Sequence, residues 1–206
     1  MIKNKYYFIA DTHLGVPNYQ ESLIREKKLV SFLLEAEKDA KAIYLMGDIF
    51  DFWHEYKYVV PKYYVRLLGT LALIVDRGTK VYFFTGNHDQ WIRDYFQKEI
   101  GMIVCTKEIV QTIEGKTFYL AHGDGLDKTD KKYLFVKALF GSKFIRVLFA
   151  SIHPRWAIAF ANSWSKASRK SHSIEDLVDK GSQEAMYKFS KKIIEEKPID
   201  YFIFGH

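Results

Sequence analysis

Apolar positions along this chain switch repeatedly between a period of two and a period near four. Residues 5–10 form a short β-branched and aromatic run, which predicts a strand. Residues 21–40 carry Leu23, Leu29, Val30, Leu33 and Leu34 on one stripe, which predicts a helix. The run 42–46 reads as a buried strand, 62–77 as a helix stopped by Gly78, and 80–85 as another strand. A short helix is expected over 90–99, ending at Gly101. Residues 108–113 and 116–121 flank Glu114-Gly115, a hairpin signal. A polar-faced helix is expected over 174–197, halted by Pro198, and a last strand over 199–204. Strand and helix alternate, so the core is α/β. No repeat of fixed period occurs.

At 206 residues and 24.2 kDa the chain suits one domain with an inserted subdomain. A composition 48% hydrophobic and 27% charged excludes disordered and low-complexity architectures. The lone Cys105, in an apolar run, excludes a disulfide framework and reads as an inert buried thiol. The N-terminal apolar stretch is too short for a signal peptide. The most apolar long window, 144–164, holds Arg146, His153, Pro154 and Arg155 and does not qualify as a transmembrane helix. The expectation is a cytoplasmic protein, soluble or peripheral to a membrane.

Charge divides the chain. Residues 131–174 hold nine of the 31 basic residues and none of the 25 acids, so the segment is +9 and the remainder −3. Phe135, Phe140, Phe144, Phe149, Trp156, Phe160 and Trp164 recur in it at helical spacing, and Pro154 interrupts the run. This predicts a pair of basic amphipathic helices inserted into the α/β core over about 128–173. They would contact an anionic surface, an acyl chain or phosphates, or else serve as a hairpin over the core with solvated lysines. Nucleic-acid binding is not expected, because the aromatics fall at helical core spacing rather than on a sheet platform.

Chemistry gathers where predicted strands end. Asp11 and His13 follow the first strand, Gly47-Asp48 and Asp51 the second, and Gly86-Asn87-His88-Asp89 the third. His122-Gly123-Asp124 and Gly205-His206 follow two later strands. Ligands of open α/β sheets bind outside the carboxyl ends of strands, so these side chains are expected to converge. A mixed N/O set suits Mn²⁺, Fe²⁺ or Zn²⁺, and the lack of Cys ligands argues against structural zinc. One carboxylate can bridge two cations about 3.5–4 Å apart. Taken singly, Asp11 or Asp48 could be a helix cap and His122 a core histidine. Five such turns in register point to a metal site. Asp51 is expected to orient a metal ligand. His54 and Glu55 fit an exposed loop as well as the site, and Asp124 and Asp127 could orient His122 or cap a helix.

The ordered set Asp11-x-His13, Gly47-Asp48, Gly86-Asn87-His88-Asp89, His122-Gly123-Asp124 and Gly205-His206 resembles the calcineurin-like metallophosphoesterases over essentially the whole chain. The resemblance implies a four-layer α/β/β/α sandwich and two divalent ions, with Mn²⁺ favoured and Fe²⁺ or Zn²⁺ open. By the same resemblance Asp11 and His13 hold the first metal, Asp48 bridges, and Asn87, His122 and His206 hold the second. In-line attack on phosphorus follows, both metals stabilising phosphoryl charge. Within the family, Asp11-Thr12-His13-Leu14-Gly15, the run from Gly47 to Trp53 and the basic insertion resemble the UDP-2,3-diacylglucosamine diphosphatases of lipid A synthesis. That implies cleavage of the substrate's pyrophosphate to UMP and 2,3-diacylglucosamine 1-phosphate, at the inner face of the cytoplasmic membrane. Asn87, His88 and Asp130, with Ser163 and Lys170, are the implied substrate contacts.

Two departures accompany the resemblance. The subfamily commonly has Arg where this chain has His88, a residue usual in the wider family, where it protonates a leaving group or stabilises phosphate charge. His88 therefore leaves open a different nucleotide diphosphate or a phosphodiester as substrate. It could instead be a group oriented by Asp89. The family also continues Gly-His-x-His, whereas this sequence stops at His206, so further C-terminal strands are expected. A non-catalytic lipid- or protein-binding module on the same scaffold is a third reading. Oligomeric state is not legible from the sequence.

Overall fold

The computed structural model describes residues 2–160, 163 and 185–206. Two compact units emerge, one built on residues up to Ile109 together with Leu120–His122 and Gly205–His206, the other on the remainder.

The first unit is a parallel sheet in the order β1(Lys5–Ile9), β2(Ala40–Leu45), β3(Lys80–Phe84), β4(Ile103–Cys105). Helices α1(Tyr19–Ala36) and α2(Val65–Asp76) connect β1 to β2 and β2 to β3. Parallel strands joined this way are covered on their faces, which is why β2 is buried at five of its six positions, with Lys41 exposed. Leu29 and Leu33 of α1 pack with Leu67, Leu71 and Ile74 of α2 against Ile43, Leu45, Val81 and Phe83. Phe50 and Trp53, both fully buried and 4.7 Å apart between ring centres, extend this core under the loop that follows β2. Register places Phe8, Tyr44 and Tyr82 side by side on neighbouring strands, their rings stacked at 4.7 Å.

Several predicted boundaries move for identifiable reasons. Helix α1 starts under an Asn18 cap, whose carboxamide accepts from the Glu21 N–H at 3.0 Å. It ends at Ala36 instead of 40, because Ala40 is taken into β2 opposite Lys5. Helix α2 starts at Val65, since Tyr63 and Tyr64 both adopt left-handed backbone (φ 82° and 53°). The helix expected over 90–99 shrinks to a single wide turn, Phe96–Ile100, capped by left-handed Gly101. The Glu55 carboxylate accepts from the N–H groups of Arg93, Asp94 and Tyr95 and so satisfies them without a preceding helical turn.

The second unit holds a three-stranded sheet in the order β5(Ile109–Ile113), β6(Lys116–Ala121), β7(Tyr201–Phe204). The expected hairpin forms, with Glu114 and Gly115 both left-handed (φ 48° and 77°). Helices α3(Lys131–Gly141) and α4(Lys143–Ala150) are separated by Ser142, and a further helical stretch covers 154–160. The basic segment is thus broken at Ser142 as well as at Pro154. Helix α5(Ala185–Glu196) supplies Phe189 against Tyr119. Lys170 and the first part of the helix expected over 174–197 lie outside the described residues.

Candidate metal centre

Strands β1, β2 and β3 run in parallel, so the loops after them emerge at one edge of the sheet. The backbone there is unusual. Asp11, His13 and Asp48 all adopt left-handed φ (51°, 40° and 52°), a conformation that costs a non-glycine residue about 1–3 kcal/mol and persists only where its surroundings impose it. The surroundings do so. The His13 N–H donates to the Asp48 carbonyl at 3.0 Å, the Leu14 N–H to that of Ile49 at 2.9 Å, and the Thr12 hydroxyl also to Ile49 at 2.8 Å. The Tyr64 hydroxyl donates to the Leu14 carbonyl at 3.1 Å, and the Arg25 guanidinium donates to the carbonyls of His13 and Val16.

The next two turns are bolted to each other. Asp89, fully buried, accepts from the N–H groups of Gly86, Ile49 and Phe50 at 2.8, 2.9 and 3.3 Å. Burial and the neighbouring Asp48 charge push the Asp89 carboxyl upward despite these bonds. The His88 N–H donates to Asp48 Oδ1 at 2.9 Å. A methyl group on Gly86 would overlap the Asp48 carboxylate, and one on Gly47 would lie 2.5 Å from His122 Nδ1. The Asp48 carboxylate and the His122 ring therefore occupy space that only glycine leaves open.

Three groups of side chains each bring one ligand-type atom apiece to within 4.8 Å of one another: Asp11, His13 and Asp48; Asp48, His122 and His206; and His13, Asp51 and His88. Asp48 belongs to the first two, the position a bridging carboxylate requires. The His122 ring is fixed by its Nδ1, 2.9 Å from the Met46 carbonyl. That carbonyl only accepts, so Nδ1 carries the proton. Nε2 then faces Asp48 Oδ2 at 3.4 Å and Asn87 Oδ1 at 3.2 Å. Three electron-rich atoms so close need a cation among them, either a proton on Nε2 or a metal ion. With the mixed N/O donors, this geometry fits a divalent metal.

Electrostatics agree with the crowding. Burial of its carboxyl and the Asp48 charge push Asp11 up to about 6. Burial raises Asp48 most strongly, but its bond to His122 and the charges of His122 and His88 leave it below the ordinary carboxylate value. Two neighbouring carboxylates with opposed shifts fit a site built for cations.

His88 and Asp51 line the same edge. His88 Nδ1 lies 2.8 Å from the Asp51 carbonyl, which fixes the tautomer and leaves Nε2 for proton exchange. The ring is thus oriented by Asp51 and not by Asp89. Asp51 Oδ1 sits 3.8 Å from His13 Nδ1 and 3.6 Å from His88 Nδ1, between two of the expected site histidines.

Of the remaining predicted residues, Asp130 caps α3, accepting from the Tyr133 N–H at 2.9 Å, and the Ser163 hydroxyl donates to the Ala159 carbonyl at 2.9 Å. Asp124 neither orients His122 nor caps a helix. It pairs with Lys137 at 2.7 Å and accepts from the Tyr133 hydroxyl at 3.0 Å. His54 and Glu55 are buried, not part of an exposed loop. Sequence reasoning missed Arg25 and the Met46 carbonyl. Nothing in the sequence marks an arginine twelve positions after His13, and a carbonyl has no residue signature.

Residues 5–206 match the calcineurin-like phosphoesterase family. The chain belongs to that family. It is therefore a phosphoesterase of a class that works with divalent cations, as its ligand-type clusters would require. The chain is also 37% identical over 218 aligned residues to the UDP-2,3-diacylglucosamine hydrolase of Porphyromonas gingivalis (strain ATCC BAA-308 / W83), covering 100% of this chain and 83% of that protein. It is 31% identical over 206 aligned residues to the enzyme of the same name from Photorhabdus laumondii subsp. laumondii, covering 97% of this chain and 80% of the relative.

Proposed function

We propose that this phosphoesterase hydrolyses the pyrophosphate bond of UDP-2,3-diacylglucosamine. One water is consumed, and UMP and 2,3-diacylglucosamine 1-phosphate are released. The observation that carries the reading is identity with a hydrolase of that name along the full chain, joined to a donor set with Asp48 shared between two clusters. In this reading Asp11 and His13 would hold one ion, Asn87, His122 and His206 the other, and Asp48 would be shared between them. Two divalent ions held there, Mn²⁺ by preference, would supply Lewis acidity to the phosphoryl group and to the attacking water. The Met46 carbonyl, by holding Nδ1 of His122, would leave Nε2 free to hold an ion. His88, oriented through Nδ1, presents Nε2 to phosphoryl charge or a leaving oxygen.

The basic helical segment over about 128–173 acts as a cap. Its cations meet phosphate or anionic lipid, and its exposed Phe135, Phe144 and Trp156 meet acyl chains, which makes the enzyme peripheral to the membrane. Among the described residues no helix is long and apolar enough to cross a membrane. Asp130, Ser163 and Lys170 belong to this cap and are its proposed substrate contacts. His88, in place of the arginine common in the subfamily, favours a second reading, action on another nucleotide diphosphate or a phosphodiester.

The test is a substrate panel with Mn²⁺-loaded protein: UDP-2,3-diacylglucosamine, other UDP-sugars and cyclic nucleotides, with UMP release followed by chromatography. UMP from the diacyl sugar, abolished by EDTA, supports the proposal. Turnover confined to other panel members would replace it.

A further inference from the structure

The loop from β2 to α2 carries a surface that the metal centre does not use. Tyr58 is 85% exposed, Val59 51%, Tyr63 47% and Val65 74%. Four large apolar or aromatic side chains within eight positions, three in the loop and Val65 at the start of α2, are more than scattered surface residues need. Lys57 and Lys62 each place their ammonium 4.9 Å from the centre of the neighbouring tyrosine ring. Arg66 follows, and no Asp or Glu occurs from 56 to 75. Exposed tyrosine and valine, interleaved with cations and free of acids, match the chemistry of an anionic bilayer interface. Tyrosine rings sit at headgroup depth, valine reaches the acyl boundary, and lysine pairs with lipid phosphate.

The backbone keeps this surface turned outward. Tyr63 and Tyr64 are consecutive left-handed residues (φ 82° and 53°), a strained pair that buries one ring and leaves the other in solvent. Tyr64 is buried with its ring centre 4.8 Å from that of Phe50, and its hydroxyl donates to the Leu14 carbonyl. Tyr63 packs against exposed Tyr19 at 5.0 Å. Leu14 adjoins His13, so the exposed loop and the proposed metal ligand share a support within one unit.

We infer that the 57–66 loop is a lipid-contacting element, docking the protein onto anionic membrane independently of the basic helical segment. An acidic protein partner would also meet the cations. It does not call for valine and tyrosine exposed with no acid or polar residue among Tyr58, Val59 and Val60. The inference deepens the membrane-peripheral part of the function proposed above. Its test uses vesicles that contain no substrate, so the outcome is independent of which phosphoester is cleaved.

The full chain is mixed with phosphatidylcholine vesicles and with equimolar phosphatidylcholine–phosphatidylglycerol vesicles. Tyr58→Trp, read as the difference from wild type with its four native tryptophans, reports insertion by a blue shift and by quenching from brominated lipid. Tyr58→Ser/Val59→Ser and Lys57→Gln/Lys62→Gln report affinity, with Phe144→Ser/Val147→Ser in α4 as comparator. The expected results are a blue shift on anionic vesicles only and a partition coefficient lowered about tenfold or more by either loop pair. For the lysines, about 5-fold apiece multiplies to about 25-fold for the pair. Melting temperature and turnover of a short-chain soluble substrate should be unchanged in the loop variants. Loop variants that partition like wild type, or an indole signal in Tyr58→Trp that vesicles leave unmoved, would overturn the inference. So would loop-dependent self-association, or loop-dependent capture of an acidic protein, without vesicle binding.

Discussion

The sharpest features of this protein belong to single residues. Asp11, His13 and Asp48 hold left-handed backbone that neighbouring hydrogen bonds impose, and Arg25 secures one of those loops through two carbonyls. If Arg25 positions His13 for metal, Arg25→Ala should weaken Mn²⁺ affinity about tenfold or more, with partial rescue by Arg25→Lys. Calorimetric Mn²⁺ titration measures this, and unchanged affinity in the alanine variant would refute the role. His54 makes a second residue-scale prediction. Burial, with a contribution from the Arg93 charge, depresses its imidazole to about 4, against about 6.5 when unfolded. Between those values the unfolded chain binds a proton that the native state does not. Stability is therefore fully present above about 6.5 and falls as pH drops toward 4, by about 3 kcal/mol from this group. Urea unfolding of wild type and His54→Phe at pH 7 and pH 5 should show a smaller pH dependence in the variant. Equal slopes would contradict the assignment.

At the scale of elements, helix α2 depends on a cap supplied from another helix. Glu26 of α1, buried, accepts from the N–H groups of Arg66 and Leu67, both at 3.1 Å. Glu26→Ala leaves two helix-terminal donors unsatisfied and should cost about 2 kcal/mol, visible as a lowered melting temperature, with Glu26→Gln milder. The same contact explains what the sequence could and could not reveal. Strands β1, β2 and β3, the hairpin at Glu114-Gly115 and the five turns whose Asp, Asn and His side chains come together were legible because period and turn chemistry are local. The start of α2 was not, because Glu26 is forty residues from the amides it satisfies and Tyr63-Tyr64 bears no glycine to announce its left-handed backbone. The lost helix at 90–94 has the same cause, with Glu55 as the distant acceptor. Strand β4 is three residues long and joins the sheet only through β3, so no periodicity marks it. The convergence of Asp48, His122 and His206 was foreseeable from strand ends, whereas the Met46 carbonyl that fixes His122 required the folded chain.

For the molecule as a whole, the formal charge of +6 joins a basic helical segment to a remainder of −3. In the reading proposed here, both that segment and the 57–66 loop face anionic lipid. Raising salt from about 0.01 M to 1 M shortens the screening length from about 30 Å to 3 Å. Sedimentation with phosphatidylglycerol vesicles should then fall steeply, and weak binding to phosphatidylcholine should change little. Salt-insensitive binding would contradict an electrostatic contribution.

In the proposed phosphoesterase centre Asp48 is shared between two ions. Electron paramagnetic resonance of the Mn²⁺-titrated protein, wild type beside Asp48→Asn, tests it most directly. Two Mn²⁺ per wild-type chain with an exchange-coupled spectrum are expected. In Asp48→Asn the coupling should vanish and the second ion should bind far more weakly. A single uncoupled Mn²⁺ in wild type, or a coupled pair surviving in Asp48→Asn, would contradict it.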